Sequence, residues 1–411
     1  MAEKIKKWVA FSLLAVLCTL AGARIWAASL LPDTFYLMEG ETLTIANLPF
    51  LSSKQKSGEV PAASAQVGSS YNVELRLMGV LPVKTVRAEV SDRRKVTVCG
   101  TPFGIKMFSD GVMVVGFTDI YTGAGYKNPA KAAGLELGDY VISVNGQKVK
   151  SNEDLKAIVT ESKGAALTVR YTRKGKTHTA KLVPAEDHLS GGFRTGMWVR
   201  DSSAGIGTLT FIDTATGVFG GLGHSVTDVD TGESLTLSSG EIVPVTLSGA
   251  VAGTPGVPGE LRGSFSGGLP FGSIRQNGET GVYGILYSLS LGGTVMETAV
   301  MQEVKTGPAK VITTIDDGGP RAYDIEIERL AFNAEDPNKN MLIKVTDKEL
   351  LAATGGIVQG MSGSPIIQND KLVGAVTHVL VKDPTRGFGI FSENMLKTAD
   401  SVKSTEVRKS A

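Results

Sequence analysis

Glycine punctuates this chain, and that punctuation restricts the fold more than any other feature. Fifty of its 411 residues are glycine, and beyond position 204 they cut the sequence into the β-like runs 205–212, 216–223, 234–247, 272–275, 281–291, 311–314, 323–330 and 341–345. Short apolar runs between turn residues read as strands, because a helix needs a longer periodic stretch to bury a face. Aromatics are only 6% of the chain, which fits many small strands and tight turns. The spacing predicts about a dozen strands after position 190, enough for two closed barrels in a mostly β protein.

Near the C-terminus stands Gly360-Met361-Ser362-Gly363-Ser364-Pro365, followed by the strand, turn and strand of 366–368, 369–371 and 372–380. Glycine beside a serine lets backbone N–H groups converge on an oxygen that turns negative when the hydroxyl attacks a carbonyl. Gly360 and Ser362 are the candidate donors of such an oxyanion hole. The same hexapeptide is also ordinary turn chemistry. A serine nucleophile needs a base within hydrogen-bond reach, and the chain offers four histidines. His178 falls in a basic turn and His188 in a glycine-rich linker, so neither suits. His224 follows a strand among small residues, and His378 lies on the strand after the serine loop; His224 is preferred. Spacing leaves the orienting acid open among Asp213, Asp228, Asp230, Asp316, Asp317, Asp324, Asp336 and Asp347.

Composition removes other chemistries. With 42 basic and 41 acidic side chains there is no electrostatic case for a nucleic-acid partner. Cys18 and Cys99 are too far apart in kind and place to suggest a disulfide, and no histidine neighbours Cys99. No histidine pair at helical spacing and no His-Glu-x-x-His run occurs, so neither a metal nor another cofactor is expected. Lys4, Lys6 and Lys7 precede the apolar run 8–23, which ends at Arg24 and Trp26. That pattern is an export signal; a retained anchor over 1–28 is favoured over cleavage at Ala21-Gly22-Ala23, placing the rest of the chain outside the cytoplasm.

After a β-rich region, 29–100, that contains the Ser-, Ala- and Lys-rich linker 52–70, the pattern changes. Pro102-Phe103-Gly104-Ile105, the apolar run 111–117, Asn128-Pro129-Ala130-Lys131-Ala132-Ala133-Gly134-Leu135 and Gly138-Asp139-Tyr140-Val141-Ile142-Ser143-Val144-Asn145-Gly146 occur in the order of a PDZ domain, which 101–185 resembles. Ser151 and Asp154 form a capping box for a helix whose apolar face is Leu155, Ile158 and Val159. By that resemblance the domain binds C-terminal peptide tails by β-augmentation, with Phe103, Gly104 and Ile105 as the carboxylate nest. Residues 186–192 read as a boundary, leaving 186–400 for the serine-loop domain.

A PDZ segment, then Gly223-His224, then Gly356-Ile357-Val358-Gln359-Gly360-Met361-Ser362-Gly363-Ser364-Pro365 resembles the stage IV sporulation protein B peptidases of endospore-forming bacteria over nearly the whole chain. The resemblance implies a trypsin-like double β-barrel with nucleophile Ser362, base His224 and acid Asp347, and it ranks Ser364 below Ser362. Trypsin-type enzymes carry Asp before the nucleophile; Met361 stands there, so activation by a new N-terminus is not expected. It also implies a membrane-tethered endopeptidase that cuts itself in trans, with 52–70 the expected site, and then a membrane-bound regulator of an intramembrane protease. That cleavage, in the space between forespore and mother cell, activates a late sigma factor. The competing expectation is a membrane-anchored PDZ scaffold with an inactive barrel.

Overall fold

The computed structural model describes residues 2–55, 65–288 and 292–409. It is mostly β. Ala2–Ser29 is one helix, and among the described residues no helix is long and apolar enough to cross a membrane. Thr34–Leu37 then joins a four-stranded sheet with Leu51–Gln55, Ser70–Leu77 and Leu81–Val90. Glu39-Gly40-Glu41 lies in a turn that joins no hairpin, and Thr34–Leu37 pairs in parallel with 87–90. Tyr71, Val73 and Leu75 alternate inward and share a core with Val311, Ile325 and Ile343 of the C-terminal half. Residues 56–64 of the expected linker lie outside the described residues, while Ser52–Gln55 is paired strand.

Two barrels follow, each a closed ring of six antiparallel strands. In the first, Pro102–Phe117 pairs with Leu237–Val243, then come Gly272–Gly278, Gly281–Leu286, Val218–Gly221 and Met197–Asp213, which returns to Pro102–Phe117. In the second, Gly307–Thr313, Arg321–Leu330, Met341–Val345, Arg386–Phe391, Lys371–Val379 and Pro365–Gln368 close the ring. Thr294–Thr298 and Lys95–Val98 pair with each other and stitch the barrels together. The glycine-cut runs form these strands because neighbouring backbones can approach where no Cβ intervenes, and alternate residues fill the interior. The helix Ser392–Lys409 packs Met395, Leu396, Ala399 and Val402 against the seam through Val96, Val98 and Phe211.

Two long strands interleave the units that the sequence divides at 186. Pro102–Phe117 and Met197–Asp213 each run through two bodies: 102–109 and 202–208 pair within the first barrel, whereas 113–117 and 197–200 pair within the PDZ unit. Its core is Val112, Val114, Val141, Val144, Leu155, Ile158, Val159, Leu167 and Val169. The unit is thus inserted between the first two strands of the barrel. Gly111 marks the passage; its φ of +109° suits glycine, and a Cβ there would meet the Val141 carbonyl oxygen at 2.6 Å. The helix Asn152–Glu161 does carry the Ser151–Asp154 capping box.

Candidate active site

The candidate nucleophile loop, 360–365, belongs to the second barrel but is pinned to the first. Thr208 N–H donates to the Ser362 carbonyl at 2.9 Å, Thr208 Oγ1 to the Gly360 carbonyl at 2.8 Å, and Thr210 Oγ1 to the Gly363 carbonyl at 2.7 Å. Gly363, at φ +93°, lies where a Cβ would sit 2.0 Å from the Thr208 carbonyl oxygen, so only glycine lets the loop close on the neighbouring strand. Sequence reading missed Thr208 and Thr210, because Thr-Leu-Thr in a β-run carries no signal beyond alternation. The Gln359 carbonyl accepts from Leu261 N–H at 2.8 Å, and trans-peptide geometry therefore turns the Gly360 N–H the other way. Among the described residues neither Gly360 N–H nor Ser362 N–H donates within the chain. Both are available to an oxyanion.

Ser362, His224 and His378 line one open cavity of about 660 Å³ between the barrels, together with Gln359, Gly360 and Thr377. The Ser362 hydroxyl donates to the Thr377 carbonyl at 2.7 Å rather than to an imidazole. His224 stands just beyond Val218–Gly221, its Nδ1 2.8 Å from the Ser225 carbonyl oxygen. A carbonyl only accepts, so Nδ1 carries the proton and Nε2 presents its lone pair, the tautomer a general base needs. Burial lowers the His224 pKa, opposed by that hydrogen bond, and thus favours the neutral ring. His378 faces it, ring centroids 4.7 Å apart, and is pulled down to about 4, by burial first and then by the His224 charge. Ser364 is fully buried and donates to Thr313 Oγ1 at 2.9 Å, away from the cavity. His178 stacks on Tyr171 and His188 meets Tyr121, both in the PDZ unit.

Asp347 is a correction. It is the N-cap of Lys348–Thr354, where Oδ1 accepts from Glu349 N–H at 2.9 Å and Leu350 N–H at 3.0 Å, and Oδ2 from Asp324 N–H at 3.3 Å. Those bonds, Leu350 first, lower its pKa. It does not line the cavity. Six of the other seven candidate acids are held by cations, Asp213 by Arg94, Asp228 and Asp230 by Arg200, Asp316 by Arg321, Asp324 by Lys310 and Asp336 by Lys339, while Asp317 is exposed and does not line the cavity; Asp336 also acts electrostatically on His378 rather than on His224. Asp347→Asn, which caps as well as Asp, is expected to leave folding and serine reactivity within about twofold, whereas Asp347→Ala costs about 1 kcal/mol of stability. Urea melts and fluorophosphonate labelling check this; a folded Asp347→Asn protein that no longer labels would restore Asp347 as the acid.

The nest assigned to Phe103, Gly104 and Ile105 is a second correction. Phe103 and Ile105 are buried in the first barrel, and 103–105 pair on one side with 205–207 and on the other, through 104 and 105, with 242 and 243. Backbone already paired on both edges cannot accept an added strand.

A family model described as SpoIVB peptidase S55 matches residues 191–396, and one described as PDZ domain matches 106–183. A Neisseria meningitidis protein named as a zinc metalloprotease is 30% identical over 95 residues, 22% of this chain and 21% of that relative. A Haemophilus influenzae periplasmic serine protease, do/HhoA-like by name, is 39% identical over 65 residues, 16% of this chain and 14% of its own. This chain therefore spans only a minor part of those relatives. Among solved structures, the PDZ domain of an SdrC-like protein from Listeria monocytogenes is 21% identical with a TM-score of 0.19, covering 22% of this chain and 87% of that one. The HtrA-type protease AlgW with decapeptide is 14% identical with a TM-score of 0.31, covering 49% of this chain and 54% of its own.

Proposed function

Because this chain belongs to the SpoIVB peptidase S55 family, we propose that it is a PDZ-bearing serine endopeptidase with Ser362 as nucleophile and His224 as general base. The observation that carries this reading is that the two residues, one from each barrel, face a single cavity. The Ser362 hydroxyl, now donating to the Thr377 carbonyl, turns its proton to Nε2 of His224 as Oγ attacks the peptide carbonyl. The oxyanion meets the N–H groups of Gly360 and Ser362. Collapse breaks the C–N bond, with the imidazolium returning the proton to the leaving amine; water then repeats the cycle on the acyl-enzyme. Ile357, Val358, Val379 and Val381 on the cavity wall favour an apolar side chain beside the scissile bond.

We further propose, from the resemblance of its sequence motifs alone, that the enzyme is tethered through its N-terminal segment, processes itself in trans and then cleaves a membrane-associated regulator in sporulation signalling, outside the cytoplasm. The PDZ unit would hold peptide tails, in a groove to be sought within 110–200 rather than at 103–105. Incubating the full chain beside its Ser362→Ala variant and mapping new N-termini over time tests both levels. Fragments beginning between 52 and 70 in the parent alone are expected; identical fragments in both proteins favour the scaffold reading.

A further inference from the structure

Without a carboxylate beside it, His224 needs another orienting device, and the hairpin of Gly272–Gly278 and Gly281–Leu286 supplies one. Asn277, the last residue before its glycine turn, reaches the segment that follows His224. Its Oδ1 accepts from Val226 N–H at 2.7 Å, and its Nδ2 donates to the carbonyls of Val226 and Leu235, each at 3.0 Å. The Val226 N–H and the Ser225 carbonyl are two ends of one planar peptide group. That carbonyl is the one holding Nδ1 of His224.

We propose that Asn277 is the positioning residue of the general base, acting through the Ser225–Val226 peptide as a carboxylate acts directly in a Ser-His-Asp triad. The chain of contacts runs from Asn277 Oδ1 to Val226 N–H, across the rigid amide to Ser225 C=O, and on to His224 Nδ1–H. Pulling on the N–H end fixes the plane, and so fixes where the carbonyl oxygen points. It also polarises the amide, which makes that oxygen the better acceptor. Farther along, Arg200 pairs with Asp228 and Asp230, while Asp228 Oδ1 accepts from Thr231 N–H at 3.0 Å, so the tip of the segment around 228–231 is held independently of Asn277. Asn277 ties the two ends of the segment together at Val226 and Leu235, and only its bonds to Val226 reach the peptide that follows the histidine.

This inference rests on His224 being the base, and its test keeps the two apart by reading the imidazole itself. The full chain in detergent, labelled with ¹⁵N-histidine, contains only four such side chains. At alkaline pH the parent is expected to show His224 protonated at Nδ1. Asn277→Leu, similar in size but without the three bonds, is expected to move His224 toward the Nε2–H tautomer and to slow fluorophosphonate labelling of Ser362 by about tenfold to hundredfold. Asn277→Asp keeps an acceptor for Val226 N–H and is expected to keep the parent tautomer. A folded Asn277→Leu protein that retains Nδ1–H and labels within about twofold of the parent overturns the proposal. If Asn277→Leu does not fold, Asn277→Asp decides: the parent tautomer supports the proposal, and Nε2–H in a folded protein overturns it. A parent that never labels would overturn the peptidase reading while leaving the tautomer result intact.

Discussion

Ser362→Ala and His224→Ala are each expected to lower the rate of peptide cleavage by about 10⁴-fold or more, and the double variant by no more than either alone. A nucleophile and its base act in one step, so removing either removes the whole of it. What survives is the stabilisation that Gly360 N–H and Ser362 N–H offer an oxyanion without a bound nucleophile. His378→Ala is the necessary control, because its ring lies 4.7 Å from that of His224 in the same cavity. His378 Nδ1 is buried without a hydrogen-bond partner among the described residues, whereas the Ser225 carbonyl holds Nδ1 of His224, so loss of His378 should cost far less than that of His224. Single-turnover kinetics on a peptide substrate separate the cases; a collapse in His378→Ala with near-parent rates in His224→Ala would exchange their roles. The pH profile has a definite sign. Burial depresses His224, so the neutral base persists as pH falls, and the acid limb of kcat/KM is expected below the ordinary histidine value of 6.5.

Glu393→Gln should stabilise the protein by about 2–3 kcal/mol at pH 8 and leave it nearly unchanged at pH 4.5. Glu393 sits in the first turn of Ser392–Lys409 and accepts from Met301 N–H at 3.0 Å. Burial pushes its pKa from 4.5 up to about 7, outweighing that bond and the pull of Lys397. A folded pKa above the unfolded one means the native state holds the proton more tightly. Its contribution is therefore fully present below pH 4.5 and is lost as pH rises through 7. Glutamine keeps an acceptor for Met301 N–H without a charge to desolvate. His378 runs the opposite way: its folded pKa is depressed, so its contribution is present above pH 6.5 and lost as pH falls toward 4. The two partly cancel in the parent. Urea melts from pH 4.5 to 8 should therefore show stability rising with pH in Glu393→Gln, and a variant-to-parent difference that stays flat would remove Glu393 as its source.

The parts of this molecule that were legible in sequence are those set by local chemistry. The hairpin after the nucleophile is one case: Asn369 and Asp370 adopt φ of 52° and 58°, which those side chains tolerate, between Pro365–Gln368 and Lys371–Val379. The capping box at Ser151 is another, since both of its bonds lie within four residues. What remained hidden is non-local. The alternation in 102–117 is the same whichever sheet receives it, so nothing in the run says that its first half belongs to the barrel and only its second half to the PDZ unit. Gly360-Met361-Ser362-Gly363 marked the candidate nucleophile, but not that Thr208 and Thr210 hold its loop. Asp347 illustrates the converse: a residue placed in the triad by resemblance has its carboxylate oxygens occupied by N–H groups of its own helix and of Asp324. Asn277 reads in sequence as the start of an ordinary Asn-Gly turn.

The insertion of the PDZ unit by two strands rather than one bears on how such a chain is assembled and altered. Chain enters along Pro102–Phe117 and leaves along Met197–Asp213, side by side and paired on both sides of a break in the ladder at 109–112 and 201. To the barrel, everything from 110 to 200 is one very long reverse turn. Gene fusion at either end of a barrel yields a bead on a string, free to reorient. A cassette spliced into a hairpin is joined to its host by two paired strands at once, and a longer linker on one of them does not set it loose.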